Sequence, residues 1–275
     1  MRINTNVMAL NAQNKLAGNQ SSVSKSIAKL SSGLRINSAA DDAAGLAISE
    51  KMRSQIRGLT QAESNAQDGI SLIQTAEGAL QQTTDILQRM RELVIKAENS
   101  GVLSDEDKIA IDTEMTELSG EIDRIAKSTS FNGKTLLDGK YTGETGKLKL
   151  NFKVGANTLN EDTLEVTIGN MDATTLKVKN VKADSTNLLG TIDAAIQTVS
   201  SQRAKLGAAQ NRMEYAIESI TVTSENLTSA ESRIRDVDMA SEMVNYTKNN
   251  ILQQSAMSML AQANQQPMQI LSLLQ

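Results

Sequence analysis

The sequence predicts a mainly α fold, in which long antiparallel heptad-patterned helices form a rod with a small β-hairpin region inserted in the middle. Three observations carry that expectation. Every seventh residue from Ile192 to Ile234 is apolar (Ile192, Val199, Leu206, Met213, Ile220, Leu227, Ile234), and no proline interrupts the run. It reads as one continuous helix of about 65 Å at the α-helical rise. A matching stripe, Ile73, Leu80, Leu87 and Val94, lies in the first half, with Ala76, Thr83, Met90 and Ala97 as its partner row. Between the two stripes the period changes to 2: Leu148, Leu150, Phe152 and Val154 alternate with Lys147, Lys149, Asn151 and Lys153. Strict alternation marks half-buried strands. Two heptad helices in opposite halves of one chain satisfy each other only by folding back together.

In chain order, Ile3, Val7 and Leu10, then Ile27, Leu30 and Leu34, follow 3/4 spacing and predict a weakly buried helix over residues 3–34. Ser31-Ser32-Gly33 interrupts it, and Asp41-Asp42 starts the next at Ala43–Leu59. The stronger helix, Ile70–Ala97, stops at Asn99-Ser100-Gly101. Ser104-Asp105-Glu106-Asp107 then supplies a capping-box start. The stripe Ile111, Met115, Leu118, Ile122, Ile125 follows, ending before Asn132-Gly133. Alternation at Leu164, Val166 and Ile168, continued by Leu176 and Val178, brings the expected strands to three or four. Asp138-Gly139 is a turn signal, and the small sheet should lie against the helices. The helix restarting near Leu188 has Leu189, Ile196, Arg203, Gln210, Ile217, Ser224 and Glu231 as its partner row. Those polar residues either snorkel at the rim of the seam or fix register and face a neighbouring subunit.

Composition narrows the function. The 275 residues include no histidine, no cysteine, no tryptophan and one proline, with 2% aromatics. Without histidine or cysteine, most nucleophile, general-base and zinc-site designs are unavailable, and no enzyme is expected, nor any cofactor. A net charge of −4 argues against nucleic acid as the main partner. No run of eighteen apolar residues exists, so no membrane span is expected. Residues 1–40 are basic, Ser-rich and free of acids, a composition shared with organelle transit peptides, and the start lacks the apolar region of a cleaved secretory signal. The last 33 residues hold a single charge, Lys248, among Asn, Gln, Ser, Met and Leu. Such an end orders when packed against something else. Two layers follow: a stable middle and conditionally ordered ends.

Several segments resemble bacterial flagellins. The match runs from Leu30-Ser31-Ser32-Gly33-Leu34-Arg35-Ile36-Asn37 through Asp41-Asp42-Ala43-Ala44-Gly45-Leu46-Ala47-Ile48. It also includes residues 1–13, 67–78, Phe131-Asn132-Gly133, 201–208, and Ala230-Glu231-Ser232-Arg233-Ile234-Arg235-Asp236-Val237-Asp238-Met239-Ala240. The resemblance covers roughly residues 1–140 and 185–275. It implies a filament subunit of the bacterial flagellum, in a short form lacking the outer variable domains. By that resemblance residues 1–44 with 233–275 form a terminal-helix inner layer ordered on assembly, and residues 45–232 form the helical rod with the β region at about 130–182. Ile3, Val7, Leu10, Leu34, Ile251, Leu260, Leu271 and Leu274 are then the polymerisation residues of the termini. The seam residues are the two stripes already given.

The same resemblance implies an extracellular location, reached through the flagellar type III apparatus without signal cleavage. It implies as partners many copies of the chain itself, filament cap and junction proteins, and an export chaperone on the C-terminal segment. Gln88-Arg89-Met90-Arg91-Glu92-Leu93-Val94 resembles the segment bound by Toll-like receptor 5, whose family contacts map onto Arg89, Leu93 and Glu114. Lys96 departs from the glutamine common in recognised flagellins. Two alternatives share features of this pattern. A hook–filament junction protein has similar terminal helices, and a coiled-coil signalling hairpin needs heptads sustained through the middle, where this chain has strands.

Overall fold

The computed structural model describes residues 6–99, 104–139, 147–157, 162–179, 181 and 187–273, with side chains as far as Gln266. Ile3 and Leu274, expected among the polymerisation residues, lie outside the described residues. The described elements are α1 (Val7–Ser32), α2 (Ala43–Ala97), α3 (Asp105–Ser128), β1 (Ser130–Phe131), β2 (Lys134–Thr135), β3 (Lys147–Lys153), β4 (Thr163–Gly169), α4 (Leu188–Arg235) and α5 (Met239–Leu273). They fall into two compact units, Met1–Ser54 with Glu225–Gln275, and Gln55–Ser224.

Helices α1, α2, α3 and α5 start where a short polar side chain can accept from the free N–H groups of the first turn. Asn6 Oδ1 accepts from Ala9 N at 3.1 Å and Asp42 Oδ1 from Gly45 N at 2.9 Å. Ser104 and Asp107 close a reciprocal capping box, and Asp238 Oδ1 accepts from Ala240 N at 3.0 Å. Gly33 ends α1 at φ +72, its N–H bonded to Lys29 O at 2.9 Å. Only a residue without Cβ adopts that left-handed cap at no cost.

The expected break between Leu59 and Ile70 does not exist: α2 runs unbroken for 55 residues. Nothing in that interval removes a backbone donor. The glycines that flank it serve close approach, since a Cβ on Gly58 would sit 2.9 Å from Ala156 Cβ and one on Gly69 would sit 3.0 Å from Met213 and Phe152.

In the unit 55–224, one apolar core joins three helices and the sheet. Ile73, Leu80, Leu87 and Val94 of α2 are buried, as are Ala76, Thr83 and Met90. Ile192, Val199, Leu206 and Met213 of α4 belong to the same core, with Ile111, Met115 and Ile122 of α3. Ile220 is buried further along α4, while Leu227 and Ile234 are half-buried and belong to the other unit. The second buried row of α4 is Leu188, Ala195, Gln202 and Ala209. The row read from sequence, beginning Leu189, Ile196, Arg203 and Gln210, is half-buried throughout and forms the rim. The correction is one position, and Gln202 explains it: its amide donates to Thr167 O of β4 at 2.9 Å. The inner row thus meets the sheet with small or hydrogen-bonded side chains.

Strands β3 and β4 pair antiparallel, with Leu148 opposite Ile168 and Phe152 opposite Leu164. Strands β1 and β2 form a two-residue hairpin at Asn132 (φ +49) and Gly133 (φ +76), a turn that requires both residues in the left-handed region. Leu176 and Val178, read as a further strand, lie instead in a turn with Lys177 at φ +59. The turn buries both neighbours of Lys177, at 5% and 0% exposure, so it imitates a strand's alternation without any ladder partner.

Candidate functional site

The candidate site is the surface of the paired terminal helices. α1 and α5 run antiparallel in the unit formed by the two chain ends. Asn6 Nδ2 donates to Ala263 O at 2.7 Å near one end, and the side chains of Gln253 and Gln20 bond midway. At the far end Leu34 and Asp236 form an isolated antiparallel bridge, with Val237 N donating to Gly33 O at 3.0 Å.

The seam between them mixes small and amide residues with a few larger ones. On α1 the covered positions are Ala9, Ala12, Leu16, Asn19, Val23, Ser26 and Leu30; on α5 they are Glu242, Tyr246, Asn249, Gln253, Ala256, Leu260 and Ala263. Both rows step by 3 and 4, the coiled-coil period. Among them Val23, Ser26 and Ala263 alone are fully buried. The stripe picked out from sequence for α1 points the other way. Val7, Leu10 and Ile27 are 59%, 52% and 48% exposed. Leu30 and Leu34 of that stripe are half-buried. Several of the large apolar residues of α1 therefore lie outside the seam.

The same holds for α5, where Met239, Met243, Val244, Ile251, Leu252, Met257 and Met259 are all exposed. Among the described residues, eleven of the sixteen large exposed hydrophobic side chains lie on α1 or α5. Isolated exposed apolar residues are ordinary, but a concentration of this kind marks an interaction surface. Of the eight terminal residues expected to act in polymerisation, Val7, Leu10 and Ile251 are exposed, and Leu34 and Leu260 are half-buried. Leu271 is in the helical backbone of α5.

A bridge beside this surface joins two sequence motifs. Arg35 N donates to Arg235 O at 2.6 Å, and the Arg35 guanidinium donates to Ile234 O. Arg235, its side chain 12% exposed, reaches Glu50 Oε1 at 2.8 Å. Asp41 accepts from the N–H groups of Asn37 and Ser38 and from the Ser38 hydroxyl. Those donors, the Ser38 amide first, hold its carboxyl below the usual range. Both motifs were visible in the sequence; that they meet as a bridge was not, because nothing in either encodes its partner.

A second candidate lies between α2 and α3. Arg89 bonds Glu114 Oε1 at 2.9 Å and Glu92 Oε2 at 3.2 Å, and these bonds raise its pKa further, the Glu114 bond most. Arg89 and Glu114 are half exposed, at the rim of a shallow groove that Lys96 and Asp107 also line. Leu93 is 3% exposed. It belongs to the core and also lines the groove shared with Arg89 and Glu114.

Known proteins resemble this chain over its whole length. The family model "Bacterial flagellin N-terminal helical region" matches residues 3–142, and "Bacterial flagellin C-terminal helical region" matches residues 189–274. The "Flagellin" of Bacillus subtilis (strain 168) is 51% identical over 305 aligned positions, with all of both chains covered. The "Flagellar filament 33 kDa core protein" of Treponema phagedenis is 51% identical over 288 positions, again with both chains fully covered. The "Flagellin" of Halalkalibacterium halodurans is 50% identical over 279 positions at the same coverage.

Proposed function

The chain belongs to the bacterial flagellin family, the structural subunits of the flagellar filament, and from that premise we propose how it assembles. Many copies bury the outer faces of α1 and α5 against one another to form the inner layer of a tube. Residues 45–232 form the layer outside it. The carrying observation is the exposed apolar surface on those two helices. Hiding a half-exposed side chain of this kind contributes on the order of 1 kcal/mol. Eleven of them can offset the roughly 4–15 kcal/mol cost of immobilising a subunit.

The thin seam has a second use. With three side chains fully buried, α1 and α5 separate at low cost. That suits passage of the chain in extended form through the flagellar export apparatus, with a chaperone holding α5 until assembly under the filament cap at the distal tip. The groove at Arg89 and Glu114, where both side chains are accessible, is the surface proposed to meet Toll-like receptor 5.

Seeded polymerisation tests the assembly reading. Removing residues 243–275 should leave the unit 55–224 folded, with its cooperative melting retained, and abolish filament growth by light scattering and electron microscopy. Filaments from that truncation would overturn the inner-layer assignment. Short rings or collars from the full chain would favour the junction-protein alternative instead.

A further inference from the structure

A shallow groove opens where the end of the β3–β4 pair meets α4. Lys147 and Lys205 flank it, Gly169 and Met171 line its floor, and Gln197 and Ser201 line its wall. Neither lysine has an acidic partner among the described residues. The other lysines of β3 do: Lys149 meets Glu165 at 3.6 Å and Lys153 meets Asp162 at 4.0 Å. Lys147 stands opposite Gly169, which has no side chain to answer it. A Cβ there would come within 3.1 Å of Met171 Cε, so the floor has little room for one. Asp172, beside the groove, is committed to Thr175 N at 2.7 Å and the Asn170 amide at 3.2 Å. Two positive charges thus stand without an acidic partner among the described residues, on a chain of net charge −4.

Their complement is at the start of α3. Asp107 is turned into the capping box, but Asp105 is 99% exposed and reaches Lys108 only at 3.9 Å. Glu106 is exposed and has no partner among the described residues. Within one copy the two features stand apart. Asp107 shares a groove with Lys96, whereas Lys205 lies beside Arg203, which pairs with Glu77. Lys96 and Glu77 are separated by roughly 30 Å along α2.

We propose that the Lys147–Lys205 groove receives the Asp105–Glu106 start of α3 from a second copy. The proposal rests on the filament reading and adds a specific contact to it. The contact joins unlike patches that are offset along the helices, so repeating it advances each copy and builds an open helical polymer instead of a ring. It staggers adjoining copies by roughly the 30 Å that separates its two halves. Opposite charges in register also select the correct neighbour during growth.

The test is a charge swap read by seeded elongation. K147E/K205E carries a reversed groove, and D105K/E106K a reversed helix start. Each alone should elongate at least about tenfold more slowly than the unaltered chain, and an equimolar mixture should recover to within about threefold, because alternating copies then pair correctly. The four-fold variant should recover likewise, which also shows that the altered chains fold. Wild-type elongation by either double variant, or failure of both the mixture and the four-fold variant to recover, would overturn the contact. Should the unaltered chain itself form no filaments, the filament reading falls. Growth of the unaltered chain without any swap effect removes this contact alone.

Discussion

The side-chain amide of Asn6 donates at 2.7 Å to the carbonyl of Ala263, the carbonyl that Pro267, four residues on, has no N–H to satisfy. An interior proline costs a helix one i→i−4 bond. In α5 the opposite end of the chain supplies the missing donor, while Asn6 Oδ1 simultaneously caps α1 through Ala9 N.

Asn6→Ala should therefore lose two contacts. Cap loss costs about 1 kcal/mol and an unmet carbonyl about another 1 kcal/mol. Pro267→Ala restores an intrahelical donor, so in the double variant the second penalty should vanish. A double-mutant cycle on the helicity of the paired termini measures this. Strict additivity would show that the Asn6 amide does not serve the Ala263 carbonyl.

Gly33→Ala should destabilise the α1 end by about 1 kcal/mol. No atom lies within 4 Å of the position a Cβ would take, so the effect is purely conformational. Gly33→Asn should recover part of it, since asparagine tolerates the left-handed region. Thermal melts of the three chains decide; equal losses for alanine and asparagine would mean a steric cause.

Leu206 is fully buried in the α2–α4 core, whereas Leu227 on the same heptad row is half-buried. Leu206→Asp should cost several kcal/mol, and Leu227→Asp less than half as much. Comparable urea midpoints for the two variants would refute that ranking.

Asp41 has its pKa depressed by the amides and hydroxyl it accepts from. Its contribution is fully present above the ordinary carboxylate pKa, near 3.9, and is lost as pH falls through the lower folded value. Asp41→Asn should therefore flatten stability against pH below about 4 and leave the slope above about pH 5 unchanged. Stability curves followed by circular dichroism test this; parallel curves below pH 4 would show that the Asp41 bonds carry no linkage.

What the sequence disclosed and what it concealed divide along physical lines. The heptad rows at Ile73–Val94 and Ile192–Met213 were legible because large apolar residues at 3.5 spacing face a core in the same unit. The α1 seam was not. Its covered row of alanine, asparagine, serine, valine and leucine interleaves polar residues with apolar ones, while Val7, Leu10 and Ile27 lie exposed. A periodicity argument follows the large apolar residues, and here several of them lie outside the seam. The inner row of α4 was hidden for a related reason, because Ala195 and Gln202 are covered through the sheet they meet. The Asn132-Gly133 pair carries a hairpin signal as well as a helix stop.

Gln202 has one more implication. A two-stranded ribbon such as β3–β4 can slip by one residue, which turns every side chain to the other face. With the Gln202 amide fixed on the Thr167 carbonyl, such a slip would turn that carbonyl away and leave the amide without its acceptor. One side chain thereby acts as an indexing pin. It ties the ribbon's position to a chosen turn of α4, and every surface built on the ribbon, the Lys147 rim included, inherits its height along the helix from that pin.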